Sequence, residues 1–175
     1  MNMALRELSS LEKYLGLKKP NKYSTRGDKK VPLLQTNNGQ PMVGLVTIAC
    51  HLVKEAKRPE LLGCTAEDRA VVHQWLEYRV SKLDSCSKED SRTILKDLNL
   101  YLQDKVCMAG NHFTLADVLI YNGIHPIIVD LTFQEKEQYM NVTRWFDHIQ
   151  HCAGIRHHLP PVVVLRNRIY TSKHH

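Results

Sequence analysis

The residues best suited to chemistry in this 175-residue chain are ten histidines and five cysteines. Both types are common zinc ligands, and a zinc site needs them at characteristic spacings. The histidines form no His-Glu-x-x-His motif, although four cluster near the end, and the cysteines form no Cys-x-x-Cys pair. We therefore predict surface histidines, no metal site and free thiols in a reducing compartment. The histidines in question are His148, His151, His157 and His158, and the thiols are Cys50, Cys64, Cys86, Cys107 and Cys152.

Nucleophilic catalysis is a second chemistry to consider, with Tyr14, Tyr23 and Ser24 as candidate activating groups. None of the three follows a segment with a strand pattern, so we interpret all three as structural. The carboxylates Glu77 and Asp130 also lack the pairing that glycoside hydrolysis requires. We therefore predict no catalytic residue.

The formal net charge is +6, and the excess lies at the two ends of the chain. Such a balance permits contact with RNA or with an acidic partner. Only Tyr23 is interleaved with the early cations, which is too little for a base-stacking platform. A solvated basic face is therefore favoured over nucleic-acid binding. The cations are Lys18, Lys19, Lys22, Arg26, Lys29 and Lys30 at one end and Arg166, Arg168 and Lys173 at the other.

Composition places the chain among globular proteins, because 43% of the residues are hydrophobic and 24% are charged. No apolar run approaches the roughly 20 residues that a membrane span needs. Charged residues interrupt the first twenty positions, so we expect neither a secretion signal nor membrane association.

The elements that must position these side chains change character along the chain. Leucines at helical spacing predict a helix over residues 5–17. A strand is expected over residues 31–36, a turn over 37–39 and a second short strand over 41–43. The period is helical again from Gly44, and a polar, linker-like stretch covers residues 54–63.

The remainder reads as helices that begin at N-cap residues. The clearest start is a capping box between Thr114 and Asp117, with Phe113 in the position of a hydrophobic staple. The apolar residues that follow surround the helix, which predicts that it is buried. An extended segment starts at Pro160. The other predicted caps are Thr65, Thr132 and Asn141.

The order of these elements resembles the glutathione-transferase fold, a thioredoxin-like half followed by a helical half. Residues 30–34 resemble the segment around that family's cis-proline, which implies a structural role for Pro32. Thr114 and Asp117 match the capping box of its central buried helix. The expected fold class is α+β and mostly helical. The expected boundaries are a reduced thioredoxin-like subdomain at 1–57, a linker at 58–64, a helical domain at 65–159 and an extended tail at 160–175.

The chain departs from active transferases where glutathione would bind. In those enzymes a glutamate or glutamine and then a serine hold the glutamyl end of the tripeptide, but Gly44 and Leu45 occupy these positions here. Too few residues precede Val31 for a complete strand-helix-strand unit. We therefore expect no cofactor and a module that binds proteins. A divergent glutathione transferase is the enzyme alternative.

Over nearly its full length the chain resembles the elongation factor 1 epsilon family, small scaffold subunits of the multi-aminoacyl-tRNA synthetase complex. The resemblance implies a non-catalytic adaptor that bridges the transferase-like domains of methionyl- and glutamyl-prolyl-tRNA synthetases, beside other scaffold subunits. It also implies a cytoplasmic protein that enters the nucleus during DNA-damage signalling. The segments that carry the resemblance are 21–24, 34–39, 74–79, 113–117, 128–132 and 145–151.

A bridge needs two separate surfaces, and the resemblance suggests where they lie. Arg69 and His73 are the candidates on the helix from Thr65, where transferases dimerise, although both also fit a solvated surface. Arg144 is the candidate on a later helix, since arginine is enriched at interfaces. A weak tRNA contact and a homodimer of the isolated protein are further expectations.

Overall fold

The computed structural model describes residues 3–18, 21–36, 39–156 and 159–164. Its N-terminal part is a small sheet with two helices, and helices make up the rest, which confirms the predicted fold class. The short polar strand β1 was not predicted, and Asn37 and Asn38 of the predicted turn lie outside the described residues. The N-terminal elements are α1 (Met3–Leu15), β1 (Tyr23–Arg26), β2 (Val31–Leu34), β3 (Met42–Val43) and α2 (Leu45–Glu55).

The sheet is antiparallel, in the order β1-β2-β3, and α1 and α2 lie on one of its faces. Pro32 and Leu34 of β2 are buried on that face, because alternate strand residues point the same way. Only residues 27–30 connect β1 to β2, whereas a crossover helix needs a dozen residues or more. The thioredoxin-like half is therefore reduced, and it lacks a crossover helix at this point.

Pro32 differs in one respect from the proline of the transferases. All peptide bonds of the described residues are trans, so the resemblance to a cis-proline segment does not extend to the bond geometry. The Pro32 carbonyl accepts a hydrogen bond of 2.9 Å from the Gly44 amide, and this bond ties β2 to the start of α2.

The linker and the helical half continue without a second sheet in the described ranges. The linker is less polar than predicted, because Leu61 and Leu62 of its 3₁₀ helix (Pro59–Leu62) are buried. Thr65 and Thr132 cap α3 and α6 as predicted. The elements after the linker are α3 (Ala66–Tyr78), a π-helical turn (Arg79–Leu83), α4 (Lys88–Tyr101), a 3₁₀ turn (Leu102–Asp104), α5 (Leu115–Val129), α6 (Phe133–Gln138) and α7 (Met140–Gln150).

The prediction that Asn141 caps a helix is wrong. Helix α7 begins at Met140, and Asn141 lies in its first turn. Its backbone amide donates to Asn99 Oδ1 at 2.9 Å, and its side-chain amide donates to the Asn99 carbonyl at 3.0 Å. A residue of α4 therefore satisfies the start of α7, a long-range contact that local sequence does not reveal.

Helix α5 is buried and begins at the predicted Thr114–Asp117 pair. Only the Asp117 half of the predicted capping box is made, because Thr114 Oγ1 has no hydrogen-bond partner among the described residues. The Asp117 carboxylate accepts from the backbone amides of Thr114 at 3.0 Å and Met108 at 2.9 Å, and from Trp145 Nε1 at 2.9 Å. Burial raises the pKa of Asp117, and these three donors oppose the rise. The structural roles predicted for Thr114 and Asp117 fit this geometry. No helix in the described part of the chain combines the length and apolarity needed to cross a membrane.

A buried arginine joins the two halves of the molecule. The Arg79 guanidinium forms a bidentate pair with Glu7 of α1 at 2.7 and 2.8 Å, and it also donates to Asp84 and to the Leu119 carbonyl. Both members of the Arg79–Glu7 pair are almost fully buried. A Cβ atom at Gly123 would lie 2.6 Å from Arg79 Cδ, so glycine leaves the space that the arginine occupies.

The described end of the chain packs against the bundle. Gln150 Nε2 donates to the Val162 carbonyl at 2.8 Å, and the Val162 amide donates to Gln150 Oε1 at 3.0 Å. Lys136 Nζ donates to the Val163 carbonyl at 2.8 Å, and His125 Nε2 lies 3.0 Å from the Pro160 carbonyl. The predicted tail is thus bound to the bundle up to residue 164, and its remainder lies outside the described residues.

We expect Arg79→Leu to lower the free energy of unfolding by about 3–5 kcal/mol, because it leaves the Glu7 carboxylate buried without its partner. The double variant Glu7→Leu/Arg79→Leu removes both charges and should cost less than Arg79→Leu alone. Urea unfolding of Arg79→Leu, Glu7→Leu and the double variant, each compared with the unsubstituted protein, measures both effects. A double variant as unstable as the sum of the two single variants would contradict this account.

Candidate protein-binding surfaces

The candidate activators of a nucleophile have structural surroundings. Tyr23 begins strand β1, so it still follows no strand, and its hydroxyl donates to Glu12 of α1. Burial raises the pKa of Tyr23, and the bond to Glu12 raises it further. The Arg58 guanidinium lies 5.5 Å from the Tyr14 ring, and Ser24 is exposed on β1. The protonated Tyr23 phenol is therefore a poor base.

The position at which transferases hold glutathione offers no polar side chain. Gly44 has none, and Leu45 is 4% exposed within the core. The Gly44 amide, at the start of α2, already donates to the Pro32 carbonyl. Neither side chain can therefore bind a carboxylate or an ammonium.

The cysteines and histidines singled out in the sequence differ in their exposure. All five cysteines are free, and only Cys107 is fully buried. His148 and His151 are exposed, whereas His157 and His158 lie outside the described residues. Within the described ranges, no three His, Cys, Asp or Glu residues are grouped so as to hold a metal ion.

The first candidate surface is the exposed face of α3, called the α3 surface. Arg69 and His73 are exposed one turn apart on it, while Val72 and Leu76 on the other face enter the core. Small side chains flank the pair, because Ala66 and Ala70 are also exposed. A flat helix face of this kind allows close approach of a second helix.

Gly63 fixes where α3 begins. A Cβ atom at Gly63 would lie 2.6 Å from the backbone nitrogen of Arg69, so the linker contacts the first turn of α3 directly. Its φ of 109° is a conformation that favours glycine. The position of the α3 surface relative to the linker therefore depends on this residue.

The second candidate surface surrounds Arg144 on α7, and we call it the α7 surface. Arg144 is exposed, and its Nη2 donates to the carbonyls of Leu102 at 2.7 Å and Lys105 at 3.0 Å. These carbonyls belong to the first residue of the 3₁₀ turn after α4 and to the residue that follows the turn, so the arginine side chain is held in place. A depression of about 410 Å³ adjoins it, lined by Gln103, Asp104, Lys105, Val106, Trp145 and His148.

Apolar residues at the α7 surface were missed by sequence reasoning. Met140 is 64% exposed one turn before Arg144, and Val106 is 54% exposed beside the depression. Single apolar residues of this kind look like core residues in a sequence. Trp145, by contrast, is 1% exposed and packs inside the bundle. The structure places Arg69 and His73 together on α3 and Arg144 apart from them on α7, and both helices contact α5.

Comparison with known proteins agrees with this architecture. The chain is 60% identical to human eukaryotic translation elongation factor 1 epsilon-1 over 172 residues, which cover 98% of this chain and 99% of the human protein. The chain belongs to the elongation factor 1 epsilon-1 family. Residues 68–153 also match the family model described as the nuclear-export cofactor Arc1p.

The chain also has more distant similarities, to a tRNA-aminoacylation cofactor protein in sequence and to glutathione transferases in fold. The tRNA-aminoacylation cofactor arc1 of Schizosaccharomyces pombe is 31% identical over 70% of this chain, which matches only 26% of that protein. A glutathione S-transferase structure from Rhodospirillum rubrum has a TM-score of 0.70 at 16% identity, with 93% of this chain and 90% of that chain covered. That likeness shows the glutathione-transferase fold.

Gly63→Ala should destabilise the protein more than Gly44→Ala does. The two glycines share a backbone conformation, with φ and ψ of 109° and 139° for Gly63 and 103° and 143° for Gly44, so alanine strains both by roughly 1–3 kcal/mol. Only the Gly63 Cβ would clash with the α3 backbone, since nothing lies within 4 Å at Gly44. Chemical denaturation gives both values, and equal losses would argue against the close approach.

Proposed function

We propose that this protein is a non-catalytic scaffold that joins the transferase-like domains of methionyl- and glutamyl-prolyl-tRNA synthetases within the multi-aminoacyl-tRNA synthetase complex. The observation that carries the proposal is the Gly44–Leu45 position, where a transferase fold lacks polar side chains for its substrate. The fold is thus preserved while its ligand-holding residues are absent. A role in binding proteins accounts for both facts.

The α7 surface suits one of the two partners. Arg144 is held by two backbone carbonyls before a partner arrives, so less side-chain entropy is lost on binding. Its pairing with carbonyls leaves no carboxylate of the described residues bonded to it, and its exposed part is free to meet an acidic or arginine side chain. Met140 and Val106 supply apolar area beside this polar anchor. Arginine is enriched at hot spots, where neighbouring contacts exclude water from the anchor.

The α3 surface suits the other partner. Transferase folds pair through this region in the resemblance described above, and Arg69 and His73 are among the polar groups that it presents. The same surface accounts for a homodimer when the protein is isolated. A synthetase domain with a higher affinity would displace the second copy.

A second candidate function is a cofactor that contacts tRNA. The similarity to a relative named tRNA-aminoacylation cofactor arc1 favours this function. A basic formal charge of +6 is compatible with a weak tRNA contact. A cytoplasmic location with nuclear entry in DNA-damage signalling also belongs to the proposal, and the family resemblance is its support.

We expect Arg144→Ala to weaken binding to one synthetase domain selectively, by about 2 kcal/mol or more, which is the range of a hot spot. Light-scattering chromatography of this protein with each domain, and with both together, should give two binary complexes and one ternary complex. The variant should retain one binary complex and lose the other.

The controls for this experiment separate binding from folding. Lys96→Ala removes an exposed cation of α4 outside the α7 surface and should keep both complexes. Circular dichroism should show that Arg144→Ala is folded, since it also loses two bonds to backbone carbonyls. Equal affinity of Arg144→Ala for both domains would rule out the α7 surface as a selective site.

Glutathione binding distinguishes the scaffold from a divergent transferase. Because Gly44 and Leu45 provide no polar side chain, titration calorimetry with millimolar glutathione should give no saturable heat. A saturable signal together with conjugation of an electrophile would favour the enzyme instead. Steep loss of tRNA binding as salt rises would favour the second candidate function.

A further inference from the structure

The face of the sheet opposite α1 and α2 carries apolar residues outside the core. Leu33 of β2 pairs with Val43 of β3 and with Ser24 of β1, so these side chains share one face. Val31 belongs to the same face, because it lies two residues before Leu33 and opposite Arg26. Val43 is 38% exposed, and Val31 and Leu33 are partly exposed.

Residues that point to the opposite face of the sheet, toward α1 and α2, are buried. The exposure is therefore specific to the face that carries Val31, Leu33 and Val43. Pro32 and Leu34 alternate with Val31 and Leu33 along β2 and are buried. Met42, the neighbour of Val43, packs against the core. In the described residues Val31, Leu33 and Val43 are not members of the hydrophobic core or of the side chains packed against it.

Cations border this apolar patch on one side. Arg26 ends β1 and Lys22 immediately precedes the strand. Each lies two residues from Ser24, so a two-residue alternation directs both to the same face. Lys29 is exposed in the turn between β1 and β2. None of the three forms an ion pair with another residue that the structure describes. We call the apolar patch and these cations the outer sheet face.

We propose that the outer sheet face binds an acidic amphipathic helix of another protein. Three strands span about 10 Å, which is the diameter of a helix with its side chains. Apolar residues of such a helix would cover Val31, Leu33 and Val43, while carboxylates beside its apolar stripe would reach Lys22 and Arg26. This surface is separate from the α3 and α7 surfaces, and the inference goes beyond the scaffold function.

Charge and geometry disfavour the other occupants. A second copy would bring its own Lys22 and Arg26 against these cations. The end of this chain carries Arg166 and Arg168 and is mismatched for the same reason. RNA would find no base-stacking ring on the face, because the Tyr23 side chain points to Glu12 of α1 on the other side of the sheet.

The probe for this test is a fluorescein-labelled 18-residue peptide with leucines on one helical face and glutamates on the other. Fluorescence anisotropy with the full-length chain should show saturable binding that weakens as salt is raised. A peptide with lysine in place of every glutamate is the matched control and should not bind. Chemical-shift changes in ¹⁵N-labelled protein should concentrate in β1, β2 and β3.

Three double variants separate the contribution of the cations to peptide binding from that of the apolar patch. We expect Lys22→Glu/Arg26→Glu to weaken the glutamate peptide about tenfold or more, and Leu33→Ser/Val43→Ser to weaken it about fivefold or more. Lys88→Glu/Lys96→Glu reverses two exposed cations of α4 and should change the affinity less than about twofold. Circular dichroism of each variant establishes that it is folded.

Several results would overturn the proposal. One is the absence of saturable binding by the glutamate peptide, and another is a set of shift changes located on α3 or α7. A third is an affinity that stays the same in the Leu33→Ser/Val43→Ser variant. Binding of a labelled uridine oligonucleotide that is lost in Lys22→Glu/Arg26→Glu but kept in Leu33→Ser/Val43→Ser would assign the face to RNA instead. The synthetase complexes are measured separately, so failure here leaves the scaffold proposal intact.

Discussion

The Arg79 guanidinium is bound by groups from three parts of the chain, and the arrangement of the two halves depends on it. Glu7 belongs to α1, Asp84 follows the π-helical turn, and the Leu119 carbonyl belongs to α5. The two Glu7 oxygens match the planar fork of the guanidinium, a geometry that lysine cannot provide. The attraction of Glu7 and Asp84 raises the pKa of Arg79 even though burial opposes the charge, so this side chain is a permanent cation.

Two neighbouring features accommodate the buried Arg79 side chain. The helix that contains Trp75 changes to a π-helical turn at Arg79, and Gly123 provides the space that a side chain would fill. Insertions of this kind in helices commonly occur where a side chain must be redirected. Asp117, two residues before Leu119 on α5, has a comparable role, because it joins the loop at Met108 to Trp145 of α7. Arg144 is adjacent to Trp145, and the candidate surface on α7 is thereby connected to the core.

The features that the sequence predicted are those with local causes. Thr114 and Asp117 are three residues apart, and the bond from the Thr114 amide to the Asp117 carboxylate follows from that spacing. The Arg79–Glu7 pair spans 72 residues, so no local pattern indicates it. The cap at Asn141 was predicted incorrectly for the same reason, since its partner Asn99 lies on another helix.

The features of the candidate sites also divide into those that the sequence predicted and those that only the structure revealed. The absence of polar side chains at Gly44 and Leu45 was readable from their identity. Strand β1 was missed because four mostly polar residues have no clear alternation, and the outer sheet face depends on that strand. Arg144 was predicted as a contact through family resemblance and stays a prediction. Its two backbone acceptors and the exposed Met140 and Val106 needed the structure. Arg69 and His73 stay predictions as contacts, because exposure alone does not identify an interface.

The contacts that hold residues 159–164 have a practical consequence for protein engineering. Gln150, Lys136 and the His125 ring bind main-chain atoms of Pro160, Val162 and Val163. Recognition of the backbone tolerates changed side chains at the exposed positions of this segment, provided that it stays extended. Val162 and Val164 are buried and fix its register. A label or domain genetically fused after residue 164 would therefore leave the bundle from a defined anchor point beside α5, α6 and α7.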